Sequence, residues 1–167
     1  MVQKEKLFIY TRSVCLMKFK WITINNIEYG SAKMLRWEML HKPLGLAPET
    51  EEISDEISSL HLVALDSKKV VGSVSFSPES EIMGRMYQMV MSEEYRGRGF
   101  GRRLLCTLEK GLEKKGIYYV YLYAYKEVEG FYQQMGYQPE GSIIEKIGIP
   151  HRLMKKTLQK KEAEYGS

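Results

Sequence analysis

Residues 88–105 read Gln88-Met89-Val90-Met91-Ser92-Glu93-Glu94-Tyr95-Arg96-Gly97-Arg98-Gly99-Phe100-Gly101-Arg102-Arg103-Leu104-Leu105. The apolar run that leads in, Arg85–Met91, predicts a strand. Beyond the glycines, Leu104, Leu105, Leu108 and Leu112 form one stripe and predict an amphipathic helix, closed by Gly116 as its C′ residue. A glycine-rich turn between a strand and a helix start suits an anion. Successive N–H groups converge there, the helix dipole adds favourable field, and glycine lets the backbone approach without a Cβ clash. The spacing Arg96-x-x-Gly99-x-Gly101 fits the pyrophosphate of a coenzyme. The same residues also suit a tight turn carrying solvated arginines, and the hexapeptide alone does not choose. Gly97, Gly99 and Gly101 are evenly spaced, unlike the Gly-x-Gly-x-x-Gly of a dinucleotide site, and no acidic residue closes a second strand about twenty residues on. No Gly-Lys-Ser/Thr follows, which excludes a P-loop.

Upstream, His61–Leu65 and Val70–Phe76 are apolar runs joined by Asp66-Ser67-Lys68-Lys69 and predict a hairpin. Trp21–Asn25 predicts a short strand. Asn25 or Asn26 then caps a helix carrying Ala32, Leu35 and Met39 on one face, which Pro43 ends. Glu49–Ser58, with Glu49, Glu51, Glu52, Asp55 and Glu56, predicts a solvated acidic loop. Downstream, Ile117–Tyr125 predicts a strand covered on both faces, with Tyr119, Tyr121, Tyr123 and Tyr125 pointing one way and Val120, Leu122 and Ala124 the other. A short helix over Glu127–Met135 places Val128, Phe131, Tyr132 and Met135 together, and Gly136 closes it. Strand pieces are expected near Tyr137 and over His151–Thr157, with a loop from Gln138 to Pro150. This order of elements implies a mixed α/β sheet.

At 167 residues, the chain is long enough to bury a core as one domain, and 44% hydrophobic with 28% charged content suits a water-soluble protein. No apolar stretch approaches a membrane span, and Met1–Lys20 lacks the clean apolar run of a secretory leader. Cys15 and Cys106 make no disulfide framework, which suits a reducing cytoplasm, and Cys106 reads as a small buried apolar residue. A net charge of +4 is short of a nucleic-acid footprint. Lys155, Lys156, Lys160 and Lys161 read as a solvated, frayed tail. The histidines and cysteines are scattered without metal-ligand spacing, so no metal is expected. His61 reads as structural and His41 as a helix-end residue.

With its strand, loop and helix, Gln88–Leu105 resembles the acetyl-CoA motif of the GNAT superfamily of N-acetyltransferases. Gly130-Phe131-Tyr132-Gln133-Gln134-Met135-Gly136-Tyr137 is similar to that family's Phe-Tyr-x-x-x-Gly-Phe/Tyr segment. The resemblance runs from about Trp21 to Leu158. More narrowly, Pro43-Leu44-Gly45-Leu46 and Glu145-Lys146-Ile147-Gly148-Ile149-Pro150-His151 resemble a bacterial subgroup with a Gly-Ile-Pro-His signature. The resemblance implies one GNAT-like domain over residues 1–167, with residues 1–20 an N-terminal strand or extension and 159–167 a frayed tail. It implies a mostly antiparallel central sheet flanked by helices, with two strands splayed around an acyl-CoA site.

It further implies that Arg96, Gly97, Arg98, Gly99, Phe100, Gly101 and Arg102 hold the pyrophosphate, mainly through N–H groups. Met89, Val90 and Met91 would line the pantetheine arm, with Phe131 beside it. The Met89 N–H would stabilise charge on the acetyl oxygen, and Tyr132 would protonate the leaving thiolate. Tyr132 also suits a core tyrosine with a satisfied hydroxyl. The implied reaction is direct transfer from acetyl-CoA to a primary amine on a small molecule or a protein. No nucleic acid, membrane or metal is involved, and many members form homodimers. The chain departs from the family twice. No carboxylate or histidine stands on the Arg85–Met91 strand as general base, which leaves Glu79, Glu81, Glu145, His151 or water. Tyr125 stands where many members carry an asparagine that touches the cofactor arm. Glu145 and His151 are the candidate substrate-end residues. The missing base equally suits a rival of another class, a non-catalytic acyl-CoA-binding sensor or interaction module.

Overall fold

The computed structural model describes residues 16–48 and 56–159. Cys15, Glu49, Glu51, Glu52, Asp55, Lys160 and Lys161 lie outside them. The elements, in order, are β1 (Met17–Ile22), α1 (Ile27–Arg36), β2 (Leu60–Asp66), β3 (Lys69–Pro78), β4 (Met83–Met91), α2 (Phe100–Lys114), β5 (Tyr119–Tyr125), α3 (Glu129–Gln134), β6 (Gln138–Lys146) and β7 (Ile149–Thr157). They build a seven-stranded sheet in the order β1-β2-β3-β4-β5-β7-β6. Every neighbouring pair is antiparallel except β4 and β5. The sheet is the expected mixed, mostly antiparallel one.

Burial on both faces explains the continuous apolar runs of the central strands. On β2, Leu62 and Ala64 face the α2 side, whereas Val63 and Leu65 face α1. The stripe on α2 is buried as its period predicts: Leu104, Leu105, Leu108 and Leu112 are fully enclosed, each contributing about 1.5–3 kcal/mol. Cys106 packs half-buried against the same cluster. On β5, Val120, Leu122 and Ala124 are buried, and Tyr121, Tyr123 and Tyr125 are half-buried on the other face.

Several boundaries differ from the sequence reading. The first strand is Met17–Ile22, ending before Asn25. Its six residues pair with β2 from Met17 opposite Asp66 to Ile22 opposite His61, so a partner strand, not apolar alternation, sets its extent. Asn26 does occupy the N-cap position of α1, but its side chain points backward. Its Oδ1 accepts from the Thr23 N–H at 2.7 Å. Beyond Arg36 the helix loosens into a π turn over Trp37–His41 and then a 3₁₀ turn holding Pro43. The expected loop from Gln138 to Pro150 is a β6–β7 hairpin, with Lys146 opposite Ile149. β6 is an edge strand with almost no buried side chain, so it carries no apolar signal, and Pro139 and its charges suit an edge. Lys155 and Lys156 are not tail residues but part of β7. The Lys156 ammonium donates to both Glu109 oxygens at 2.9 and 2.8 Å and to the Met135 carbonyl at 2.7 Å.

Glu56 is not in a solvated loop. It is 3% exposed and meets Arg36, 1% exposed, through two parallel hydrogen bonds of 3.0 Å. The Tyr29 hydroxyl also donates to it. Burial works against the Glu56 charge, but Arg36 and Tyr29 outweigh it and hold the carboxyl below its ordinary value. His61 closes this network, as a structural histidine. Its Nε2 donates to the Glu56 carbonyl at 2.9 Å, and Nδ1 lies 2.8 Å from the Ser75 hydroxyl.

Candidate active site

The site begins where the sheet divides. β4 pairs with β5 only over Met83–Arg85, opposite Tyr119–Tyr121. Beyond that point β4 continues against β3 alone, while β5 continues against β7. A wedge opens between Tyr87–Met91 on one side and Leu122–Tyr125 on the other. At its mouth β4 carries a bulge. Tyr87 opposes Ser75 and Val90 opposes Ser73, so β4 spends one residue more than β3 across the same span. Gln88 absorbs it with φ of 50°.

The chain then turns through a 3₁₀ segment, Glu93–Tyr95, into the glycines. Gly97 and Gly99 have φ of 68° and 80°, a region that costs other residues about 1–2 kcal/mol. Gly99 is the N-cap of α2 and provides no side-chain cap, so the first N–H groups of the helix have no helical acceptor. Among the described residues, the backbone N–H groups from Gly97 to Arg102 have no backbone partner, and the first bond onward is Arg103 N–H to the Gly99 carbonyl at 3.1 Å. This is a row of free donors at the positive end of a 15-residue helix.

The arginines beside it are largely committed elsewhere. Arg96 Nε donates to the Met91 carbonyl at 3.1 Å, which ties the loop to the end of β4. Arg98 stacks on Tyr95 and Phe100, at 5.5 and 5.0 Å from the ring centroids. Arg102 reaches Gln134 on α3 at 3.4 Å. Any anion held here therefore meets backbone N–H groups first.

Two cavities meet in the wedge. The larger, about 600 Å³, is lined by Met89, Val90, Met91, Arg96, Gly97, Gly99, Gly101, Arg102, Phe131 and Tyr132, all named by the sequence reading. Arg98 and Phe100 do not line it; Phe100, the first residue of α2, is buried in the core against Tyr95. The smaller, about 220 Å³, lies toward β7 and includes Arg85, Tyr123, Lys146 and His151. Leu40, Met89, Tyr125, Val128 and Tyr132 line both. Glu145 is exposed on β6 and lines neither.

At the junction, Tyr132 is 8% exposed with its ring edge-on to Phe131 and Tyr137. Among the described residues its hydroxyl has no hydrogen-bond partner, and burial pushes its pKa well up. A satisfied core tyrosine would look different. His151 sits beneath the ring of Tyr125, centroids 4.8 Å apart, and its Nδ1 lies 2.7 Å from the Ile149 carbonyl. A carbonyl only accepts, so Nδ1 carries the hydrogen and Nε2 is the basic nitrogen of the neutral ring. The Gly148-Ile149-Pro150-His151 segment thus has a mechanical role. Ile147 and Gly148, both at positive φ, make the two-residue hairpin turn. The turn sets His151 opposite Tyr125.

Sequence reasoning missed Met39 and Leu40, which the π turn carries over the larger cavity, and Arg85, Tyr123 and Lys146 around the smaller one. No local spacing signals them, because they come from different elements.

The family model for the acetyltransferase (GNAT) domain matches residues 28–158. The chain belongs to the GNAT family. Its curated relatives include the "uncharacterized acetyltransferase in arcA 3′ region" of Streptococcus pyogenes, 27% identical over 111 residues, which span 66% of this chain and 76% of that one. Among solved structures, the GNAT fold here superposes on an aminoglycoside 6′-N-acetyltransferase complexed with coenzyme A, with a TM-score of 0.74 at 17% identity, covering 87% of this chain and 99% of that one. Escherichia coli ElaA gives a TM-score of 0.72 at 19% identity, covering 84% and 99%. At these identities the likeness is one of fold. No helix among the described residues is long and apolar enough to cross a membrane.

Proposed function

We propose that this GNAT protein transfers the acetyl group of acetyl-CoA to a primary amine by direct attack. One observation carries the proposal: a donor-lined cavity and a second, smaller cavity meet at Met89 and Tyr132. The larger suits coenzyme A. Its N–H row and glycines fit a pyrophosphate, and Met89, Met91 and Phe131 fit an apolar arm. The smaller suits the acceptor.

The roles follow from position. The N–H groups from Gly97 to Arg102 hold the pyrophosphate. The Met89 N–H, beside the bulge, donates to the thioester oxygen as charge gathers there. His151 Nε2 takes the proton that the acceptor nitrogen must lose, since an ammonium has no free pair for attack. The nitrogen pair forms the new C–N bond and the C–S bond breaks. The Tyr132 hydroxyl gives its proton to the leaving sulfur and is restored by the second proton, which the nitrogen loses once the C–N bond has formed; the first passes from His151 to solvent. A buried tyrosine keeps its proton firmly, so it gives it up only as thiolate charge develops beside it. Glu145, exposed on the edge strand, has no role in this scheme. Membership of the Gly-Ile-Pro-His subgroup belongs to the same proposal, as do a single domain and a cytoplasmic location without nucleic-acid or membrane partners. A homodimer fits the family habit.

Release of coenzyme A, followed with a thiol reagent over an amine panel, tests this. Tyr132→Phe is expected to lower kcat at least tenfold with little change in the KM for acetyl-CoA. Tight acetyl-CoA binding with no turnover on any amine, and no effect of Tyr132→Phe, would leave a non-catalytic binding module instead.

A further inference from the structure

The smaller cavity has an unusual charge. Arg85 from β4 and Lys146 from β6 both line it, and no aspartate or glutamate does among the described residues. Among the described residues, Arg85 forms no ion pair there, and its buried Nε has no hydrogen-bond partner. Its guanidinium stacks near Tyr87, 5.4 Å from the centroid. The Lys146 ammonium lies 3.5 Å from the centre of the Tyr123 ring, also without a carboxylate partner among the described residues. Two acids on neighbouring segments are engaged elsewhere. Glu79 accepts from the Tyr121 hydroxyl, and Glu129 pairs with Arg152 at 3.7 Å. Burial, and then the charge of Arg85, lower the Lys146 pKa, so the two cations feel each other.

Two like charges in one pocket without a counter-ion are destabilising by themselves. An anion between them relieves this by pairing with the Arg85 guanidinium and the Lys146 ammonium. A polyamine or any polycation meets repulsion in the same place. The cavity is also small: about 220 Å³ lies under the ~300–1,000 Å³ of sites for drug-sized ligands. Besides His41, Gln88 and His151, its other walls are aromatic and apolar, among them Tyr87, Tyr123, Tyr125 and Leu122.

We infer that the acceptor is a small amine that also carries an anionic group, and that Arg85 and Lys146 bind that group while the nitrogen points to the junction at Met89 and Tyr132. A carboxylate or a phosphorus oxyanion offers the shared chemistry. The inference rests on the proposed acetyl transfer, but binding tests it separately from turnover.

The experiment titrates the coenzyme A-loaded protein by calorimetry with matched probes. These are L-leucine and 3-methylbutylamine, L-phenylalanine and 2-phenylethylamine, 2-aminoethylphosphonate with ethylamine, and spermidine. At least one anionic probe is expected to bind at least about tenfold more tightly than its twin lacking the anionic group, and spermidine to bind weakest. Whether the carboxylates or the phosphonate lead identifies the anion. Arg85→Gln and, independently, Lys146→Gln are expected to shrink that preference at least fivefold while coenzyme A affinity stays within twofold. Twins that bind alike, a spermidine preference, or a preference that survives both substitutions would overturn the inference. Selective binding of an anionic amine without coenzyme A release from acetyl-CoA would sustain it and overturn acetyl transfer instead. Turnover of amines with no anion preference would do the reverse.

Discussion

Gly101 separates the two things a residue at the mouth of a site can do, stabilise the fold or admit a ligand. It stands in the first turn of α2 and lines the larger cavity. A Cβ there would lie 3.7 Å from Met91 Cγ, 3.8 Å from Met89 Cε and 3.9 Å from Phe131 Cζ. These are ordinary contacts, so the backbone need not move. Its φ is not positive, so a side chain adds no backbone strain. Gly101→Leu therefore removes a helix glycine, a gain of up to about 0.8 kcal/mol, which shifts Tm by no more than about 3 °C in a protein of this size. The branches beyond Cβ enter the space assigned to the cofactor. If they displace one charge-assisted N–H contact to the pyrophosphate, the loss is about 1.5–3 kcal/mol, or roughly 10- to 150-fold in Kd. Calorimetry of coenzyme A binding and a thermal melt on the same sample read both quantities. Unchanged affinity would refute the placement of the cofactor against Gly101. A fall in Tm of many degrees would show that the helix start is packed more tightly than these distances allow.

Three other outcomes follow from the packing. Arg36→Met leaves Glu56 buried beside Tyr29 without its cation and is expected to cost about 3–5 kcal/mol in urea unfolding. Arg36→Met with Glu56→Leu should recover much of that, and equal loss in single and double variants would refute the pairing. Because the folded pKa of Glu56 lies below its ordinary 4.5, its contribution to stability is full above that value and is lost as pH falls through the folded one. Unfolding midpoints measured down the acid side should decline less steeply for Glu56→Gln, and parallel curves would contradict this. At Gly84 a Cβ would meet the Ser77 carbonyl oxygen at 2.4 Å and Phe76 Cζ at 2.5 Å. Gly84→Ala should lower stability by about 1–3 kcal/mol, and a variant as stable as the parent would show that β3 and β4 yield there at little cost.

The helical stripe of α2, the β2–β3 hairpin and the glycine turn were legible in the sequence because each is a local code. The period of 3.6, the paired apolar runs and the left-handed glycines all act within a few residues of chain. The proposed pyrophosphate cradle belongs with them, since Gly97 to Arg102 are contiguous and the helix start needs no distant partner. β6 and the first half of β1 left no such mark. Their strand state comes from β7 and β2, which pair with them and ask little of their side chains. Glu56 read as solvent-exposed because its neighbours in sequence are acidic, whereas its partner Arg36 is 20 residues away.

By itself, then, the sequence determined the glycine turn proposed to hold an anion, the strand before it, the helix after it and the Phe131-Tyr132 pair whose family resemblance suggested acyl transfer. Only the tertiary structure decided what lies past the place proposed for the thioester. Arg85, Lys146 and His151 come from β4, β6 and β7, and no spacing along the chain relates them. The parting of β4 from β5 opens the pocket they share, and that parting is a property of the sheet, not of any one strand. The charge in the proposed acceptor pocket is the sum of side chains that meet only after folding.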